Sequence, residues 1–358
     1  MRNRFRYVIV RTEKLNELSR NHMSNIKAVK LRDIALSLGL SVSTVSRAMS
    51  GNGRVSQTTR QRVLAAVEQV SYTPNDVARS LRMRDAKNIG IIVTDITNSF
   101  FSSVIKGAQI VSRQKGYSIL LSNSDENLLF EEEALQLMLE KQISGLILAS
   151  VGSDKKKLAH YLRLNVPIVF IDNMPALEGP FDSVSVDNYR ASHELTNKLI
   201  RRGYRDIGMV TGPLDQSSGW QRMKGFENAL LENSLPFRPE WVREGDFKMK
   251  SGQQCLETIL ELPNRPAAMI LGNNYMAYGA INAIRQAGFR IPQDMAVASF
   301  DVDDFTSLMN PSITTMNQPA EEIGRKAADI LIARIAGTPV GFSHNLILDP
   351  IFVEGNSW

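Results

Sequence analysis

Residues 31–50 read LRDIALSLGLSVSTVSRAMS, and they decide how the first quarter of the chain is organised. Leu31, Ile34, Ala35 and Leu38 recur at i, i+3, i+4, i+7, the spacing of one helical face. Gly39 interrupts that pattern. Lacking a Cβ, it accepts the positive φ of a tight turn between helices. Ser41 then stands as N-cap of a second helix over residues 42–49. Ala35 is small where two helices would cross, and Val45 is a β-branched residue turned back into the core. Helix, short turn, helix, with these residue types, is a helix-turn-helix pattern. The outer face of the second helix shows small hydroxyls, Arg47 and the bare Val42. An ordinary solvent face would carry Glu, Lys and Gln, so this one is built to meet something else.

Outward from there, Ser56 can cap QTTRQRVLAAVEQV, whose Val63, Leu64, Ala66, Val67 and Val70 form one apolar stripe of a third helix. Pro74 disfavours helix before it, and Asn75 suits the N-cap of a short helix over 76–82, made basic by Arg79, Arg82 and Arg84. That segment is too short to be stable alone in water. Charge follows the same division. Residues 1–87 hold 17 Lys/Arg against 6 Asp/Glu, a net +11, while the other 271 residues hold 25 against 31, a net −6. A basic head on an acidic body points to a polyanion as the partner of the head.

The bulk numbers exclude several classes. With 358 residues the chain holds two or three domains. The single Cys255 rules out a disulfide framework within the chain and fits a reducing compartment. No apolar run reaches the roughly 18 residues of a bilayer span, and the apolar stretch 7–10 is too short for a signal-peptide core. The expected location is the cytoplasm. There is no P-loop, no G-x-G-x-x-G after a strand, no H-E-x-x-H and no evident Ser/His/Asp set, so no enzyme is expected. The run 301–304, DVDD, starts like a calcium loop but lacks its glycine and its later glutamate; neither metal nor cofactor is expected.

From residue 88 the texture changes to short apolar runs alternating with amphipathic stretches. Candidate strands lie at 89–93, 117–121, 146–149, 168–171, 183–186, 207–210, 269–271 and 297–300. Continuous apolar runs of this length between helices read as parallel strands buried on both faces, an α/β class. NIGIIVTD at 88–95 is echoed by DIGMVTGP at 206–213, which suggests two doubly wound halves with a cleft between them. Ligands in such sheets bind beyond the carboxyl ends of the strands. Those ends carry Asp95, Asn98, Phe100, Asp172, Ser218, Trp220, Arg222, Phe247, Asn273 and Asp301. Carboxylates and amides bond vicinal hydroxyls, a guanidinium gives fixed donors and an aromatic ring covers an apolar ring face, which suits a sugar or nucleoside. Singly, each Asp or Asn could equally be a helix cap and each aromatic a core residue.

The stretch LRDIALSLGLSVSTVSRAMSGNGRVSQTTRQRVLAAVEQVSYTPNDVARSLR resembles the DNA-binding headpiece and hinge of the lactose repressor (LacI) family of bacterial regulators. The TVSRAM, VSQTTRQRV and YTPNDVARSL blocks in this order are specific, and the resemblance runs to near residue 353. It implies a small all-helical helix-turn-helix headpiece on a two-lobed, periplasmic-binding-protein-like α/β core of doubly wound parallel sheets. It further implies a dimer on a pseudo-palindromic operator, controlled by a small sugar-like effector and repressing carbohydrate-utilisation genes. By position, Val42 and Ser43 match the pair that reads bases, Arg47 a base-contacting arginine, and Ser41, Thr44 and Ser46 phosphate contacts. Arg54 matches a contact near the turn; Asn75, Ala78 and Leu81 are hinge positions, Leu81 matching a leucine that wedges into the minor groove. Arg222, Asp301 and then Asn273 match effector contacts most closely. Two departures stand out: Asn274 replaces the family's usual Asp, and Gln216 replaces an arginine of a purine-binding member, which favours a neutral ligand.

The expected division is an N-terminal extension at 1–27, disordered or upstream of a true start at Met23, a headpiece at 28–74, a hinge at 75–87 and a core at 88–358. Within the core the first lobe takes about 88–187 plus 316–342 and the second about 188–315 plus 343–358. A tetramerising C-terminal heptad helix, found in part of the family, has no counterpart, so a homodimer is expected. The alternative is a sugar-binding protein with no regulatory role, which should have a signal peptide and no basic helical head.

Overall fold

The computed structural model describes residues 31–50, 55–69, 87–152, 166–174, 180–303, 308, 310–337 and 344–358. The chain divides into two units, residues 1–84 and 85–358.

The first unit contains α1 (Leu31–Leu38), α2 (Val42–Ser50) and α3 (Gln57–Gln69). α1 ends as the sequence requires. Gly39 takes φ 63°, the Leu40 amide donates to the Ala35 carbonyl and the Gly39 amide to that of Leu36. This is the paired bond pattern that closes a helix through a left-handed glycine. Ile34, Ala35, Val45, Ala48 and Val63 form the small shared core.

The second unit consists of two lobes. The first sheet contains β1 (Asn88–Val93), β2 (Ser118–Asn123), β3 (Gly145–Leu148), β4 (Ile168–Ile171), β5 (Asp182–Val186) and β11 (Asn345–Leu348), in the order β11-β5-β4-β3-β1-β2. All its pairings are parallel. The second contains β6 (Ile207–Thr211), β7 (Val242–Glu244), β8 (Ala268–Leu271), β9 (Ala296–Phe300), β10 (Thr314–Asn317) and β12 (Ile351–Val353), in the order β12-β10-β9-β8-β6-β7. Among the described residues only β12 runs antiparallel there. The echo between 88–95 and 206–213 therefore marks β1 and β6, which occupy equivalent places in two sheets of equivalent order.

Helices cover both faces. In the first lobe α4 (Ser99–Gln114) and α10 (Ala320–Ile335) pack together on one face, and α5 (Leu128–Glu140) lies on the other. α4 and α10 meet backbone to backbone. A Cβ on Gly107 would sit 2.0 Å from the Glu321 carbonyl oxygen, and one on Gly324 would sit 1.9 Å from that of Val104. In the second lobe α6 (Asn188–Arg201) and α7 (Ser217–Glu232) cover one face, α8 (Met249–Leu260) and α9 (Asn274–Gln286) the other.

The chain passes between lobes three times, and the expected lobe boundaries need correcting at the last two. Thr314–Asn317 pairs with β9, so the second crossing follows residue 317. Asn345–Leu348 pairs with β5, so residues 344–348 belong to the first lobe. An ion pair explains the placement of β11. Buried Arg334 donates to both oxygens of Asp182 at 2.7 and 2.8 Å, and the same carboxylate accepts the His344 amide at 2.8 Å. This holds the start of β11 against β5. Among the described residues no helix is long and apolar enough to cross a membrane.

Candidate functional site

On α2, side chains sort cleanly by face. Val45 and Ala48 are buried, whereas Ser41, Val42, Ser43, Ser46 and Arg47 are exposed and Thr44 is half-buried. Val42 is 43 % exposed, unusual for a valine in a region with its own core. Ser41 Oγ accepts the Thr44 amide at 3.1 Å, so it caps the helix. The same oxygen lies 2.9 Å from Ser43 Oγ and 2.8 Å from Thr44 Oγ1, a hydroxyl cluster at the positive end of the helix. Short hydroxyls at a helix N-terminus let a phosphate approach the backbone closely. Arg47 stands one turn farther along the same exposed face. Arg54, Asn75, Ala78 and Leu81, and the short helix expected over 76–82, lie outside the described residues.

In the second unit a polar pocket opens between the lobes at the carboxyl ends of both sheets. Asp95, Asn98, Phe100, Asp172, Ser218, Arg222, Phe247, Asn273 and Asp301 all line it, together with Phe101, Glu126, Lys248, Asn274 and Gln318. Trp220 lies outside the lining and is 53 % exposed. On α7 it follows Ser218 by two residues, which turns it away from the face that Ser218 and Arg222 share, four apart.

Local structure explains the convergence. Asn98 accepts the Phe100 amide at 3.0 Å and so starts α4; Asn273 accepts the Met276 amide at 2.8 Å and starts α9. Each is a helix cap as well as a cavity wall. Asp125, Glu126, Asp172, Phe247 and Asp301 all have φ between 51 and 64°. Non-glycine residues seldom adopt this conformation, and such strain gathers where a side chain must be aimed. For Asp172 and Asp301 it turns the carboxylate off the strand end into the cleft. Gly212 has the complementary role: a Cβ there would meet the Phe247 ring at 2.0 Å.

Arg222 is the fixed point of the second lobe. It is 3 % exposed and donates to Asn188 Oδ1 at 2.8 Å, to the Gly272 carbonyl at 2.5 Å and to Asp301 Oδ2 at 3.3 Å, with Phe300 beneath its guanidinium. Burial pushes the Asp172 carboxyl up to about 6 against the attraction of Arg222, and it pushes Glu126 up as well. Burial also opposes ionisation of Asp95, but the Thr97 hydrogen bonds and the Lys248 ammonium outweigh it and hold that carboxyl below its usual value.

Side chains of the two lobes meet directly across the cleft. Asn98 and Asn274 exchange amide hydrogen bonds of 3.0 and 3.1 Å. Tyr275 donates to the Thr97 carbonyl at 2.7 Å, and Lys248 bridges Asp95 at 3.2 Å and Asp125 at 2.7 Å. Gln216 donates to Glu126 at 3.1 Å and accepts from Asn173 at 2.6 Å. Sequence reasoning did not single out Glu126, Lys248 and Gln318 for the lining. Glu126 sits in the turn after β2, and that strand-end position could have found it. Lys248 and Gln318 reach the cavity only because the lobes are stacked. Among the described residues no group of three or more His, Cys, Asp or Glu is arranged to hold a metal ion.

Comparison with known proteins gives matches along most of the chain. Residues 30–75 match the pattern of bacterial regulatory proteins of the lacI family. Residues 86–346 match that of periplasmic binding proteins and the sugar binding domain of the LacI family. The chain is 32 % identical over 307 residues to the HTH-type transcriptional repressor PurR of Aliivibrio salmonicida, covering 85 % of this chain and 92 % of the relative. It is 30 % identical over 330 residues to the HTH-type transcriptional repressor CytR of Escherichia coli K12, covering 92 % and 96 %. Among solved structures it is similar to the lac repressor dimer bound to operator and the anti-inducer ONPF. The TM-score is 0.82 at 27 % identity, covering 92 % of this chain and 99 % of that one.

Proposed function

The chain belongs to the LacI family of bacterial regulatory proteins, and from that premise we propose how its two sites work together. It is a DNA-binding transcriptional regulator that responds to a small molecule, of a family made up of repressors rather than enzymes. In the proposed mechanism a homodimer places two copies of α2 in successive major grooves of a pseudo-palindromic operator, in the cytoplasm where the DNA is. A two-fold molecule reads a two-fold site because each half-site presents the same edges. Ser41, Thr44 and Ser46 bring the helix onto the phosphates, Arg47 reads a base edge, and Val42 with Ser43 tunes the choice of base. Arg54, Asn75, Ala78 and Leu81 extend the contact.

The cleft is the effector site. Arg222, Asp301, Asn273 and Asp172 fix hydroxyls, Asp95, Asn98 and Ser218 add polar contacts, and Phe100 and Phe247 cover the apolar faces of a sugar-like ligand. Because both lobes contribute to the wall, a ligand in the cleft changes the free energy of closure. Operator affinity then changes only as far as the effector binds the two arrangements unequally. The genes controlled are those for using the ligand, a carbohydrate by this reading.

One observation carries the proposal: a single chain holds both an exposed, hydroxyl-rich recognition helix and a polar cleft whose walls come from two lobes. The test is operator affinity by fluorescence anisotropy, at fixed salt, across a panel of sugars and nucleosides. At least one ligand should change affinity at least tenfold in the wild type and not in Arg222→Ala. A ligand response that survives Arg222→Ala would remove the cleft from the mechanism.

A further inference from the structure

Among the described residues the carboxylates of the cleft outnumber its cations, and both cations already bond protein acceptors. Asp95, Glu126, Asp172 and Asp301 line the cavity against Arg222 and Lys248. Each guanidinium nitrogen of Arg222 has a protein acceptor, and the Lys248 ammonium is shared between Asp95 and Asp125. Among the described residues neither Asp172 nor Glu126 has an ion-pair partner. The Gln216 amide, a neutral donor, serves Glu126 at 3.1 Å.

A second observation concerns Gln318, which is 8 % exposed and lines the same cavity. Its side-chain amide donates to Asp301 Oδ2 at 3.0 Å and its backbone amide to Oδ1 at 2.8 Å. Among the described residues its Oε1 is buried with no hydrogen-bond partner. A buried acceptor left open costs free energy until a donor reaches it. Among the described residues the cavity thus presents surplus acceptors: two carboxylates with no ion-pair contact and one orphan amide oxygen. An anionic ligand would find a lining in which like charge outnumbers unlike. A ligand rich in donors and bearing a positive charge would satisfy all three groups at once.

We propose that the effector is cationic: a protonated amine on a hydroxylated body, the ammonium facing Asp172 and Glu126 and a hydroxyl donating to Gln318. Sugar phosphates and sugar acids are excluded by the same groups. The inference rests on the cleft being the effector site, and it names the charge of what enters.

The test uses probes small enough that stereochemistry does not decide the result. Tris is a protonated amine carrying three hydroxymethyl groups, pentaerythritol is its neutral tetraol counterpart, and glycerol 3-phosphate is an anionic polyol. Apparent dissociation constants come from thermal shift of the full-length protein at constant ionic strength and pH 7.5. Tris should bind at least tenfold tighter than pentaerythritol, and glycerol 3-phosphate should not bind. Asp172→Asn combined with Glu126→Gln should erase the advantage of Tris over pentaerythritol. Equal binding of Tris and pentaerythritol, tighter binding of glycerol 3-phosphate, or a Tris advantage that persists in the double variant would overturn the proposal. A neutral or phosphorylated effector acting through Arg222 would defeat the charge assignment and leave the cleft reading standing. A response independent of Arg222 would defeat the cleft reading itself.

Discussion

Replacing Asn274 by Asp changes one NH₂ group to an oxygen and should loosen the cleft. The pair it belongs to has no freedom to adapt. Asn98 Oδ1 is held as an acceptor by the Phe100 amide at 3.0 Å, so its NH₂ must face Asn274. Asn274 Oδ1 in turn accepts the Tyr275 amide at 2.8 Å, so its NH₂ must face Asn98 Oδ1, at 3.1 Å. In Asn274→Asp that donor becomes a second acceptor, and two oxygens oppose each other where residue 274 has no solvent exposure. Removing one partner of a buried hydrogen bond costs about 1–3 kcal/mol, which moves an opening equilibrium about 5- to 150-fold. The new charge also adds to a cleft already rich in carboxylates, so the upper half of that range is expected. Hydrogen–deuterium exchange of the unliganded protein reads the result. Peptides covering residues 94–101 and 272–278 should exchange at least tenfold faster in the variant, while the sheet interiors should not change. Exchange equal to wild type in both peptides would refute the reasoning, because the amide pair would then not hold the lobes together.

Asp182→Asn should cost about 1–3 kcal/mol at pH 7, since it removes the carboxylate that accepts from both Arg334 and the His344 amide. Burial works against the Asp182 charge, but Arg334 and the His344 amide win and hold its carboxyl below the usual value. A depressed folded-state pKa gives stability that is present above the unfolded value and lost as pH falls through the folded one, so acid denaturation scans should converge for wild type and variant. Glu131 behaves in the opposite way. Burial pushes its carboxyl up to about 7 despite hydrogen bonds from Val151 and Ser150, so its charge destabilises the fold as pH rises from about 4.5 to 7. Glu131→Gln should therefore raise the melting temperature at pH 8 and have little effect at pH 5; a pH-independent difference would contradict the assignment. Arg47→Ala should cost about 1–3 kcal/mol of discrimination at one base position in each half-site, measured as the ratio of operator to mutated-operator affinity.

The parts legible in the sequence were those written in local spacing. α1, its Gly39 turn, the Ser41 cap and the buried Val45 all follow from contacts within 15 residues. Most of the eight candidate strands are legible because a strand buried on both faces is largely apolar; β2 is an edge strand with no buried residue, and β5 alternates serine with valine. β7, β10, β11 and β12 escaped that test. β11 alternates exposed and half-buried residues at a sheet edge, β12 is three residues long at the other sheet's edge, and β10 is the polar run TTMN. Which lobe received β11 depended on Arg334 meeting Asp182, 152 residues apart, and no window of sequence contains that pairing. The cleft divides in the same way. Side chains at strand ends and helix caps could be named from position alone. Lys248 and Gln318 depend on the stacking of two sheets, and the helical period turns Trp220 outward from the face that Ser218 and Arg222 share.

The most direct measurement is selection of DNA by the purified full-length protein from a random pool at physiological salt, with wild type and Arg47→Ala in parallel. The account predicts that wild type enriches one pseudo-palindromic site, bound at least about 10³-fold tighter than random DNA, and that Arg47→Ala loses the preference at a symmetric pair of positions. Enrichment of no site, or of an asymmetric site equally favoured by Arg47→Ala, would contradict it.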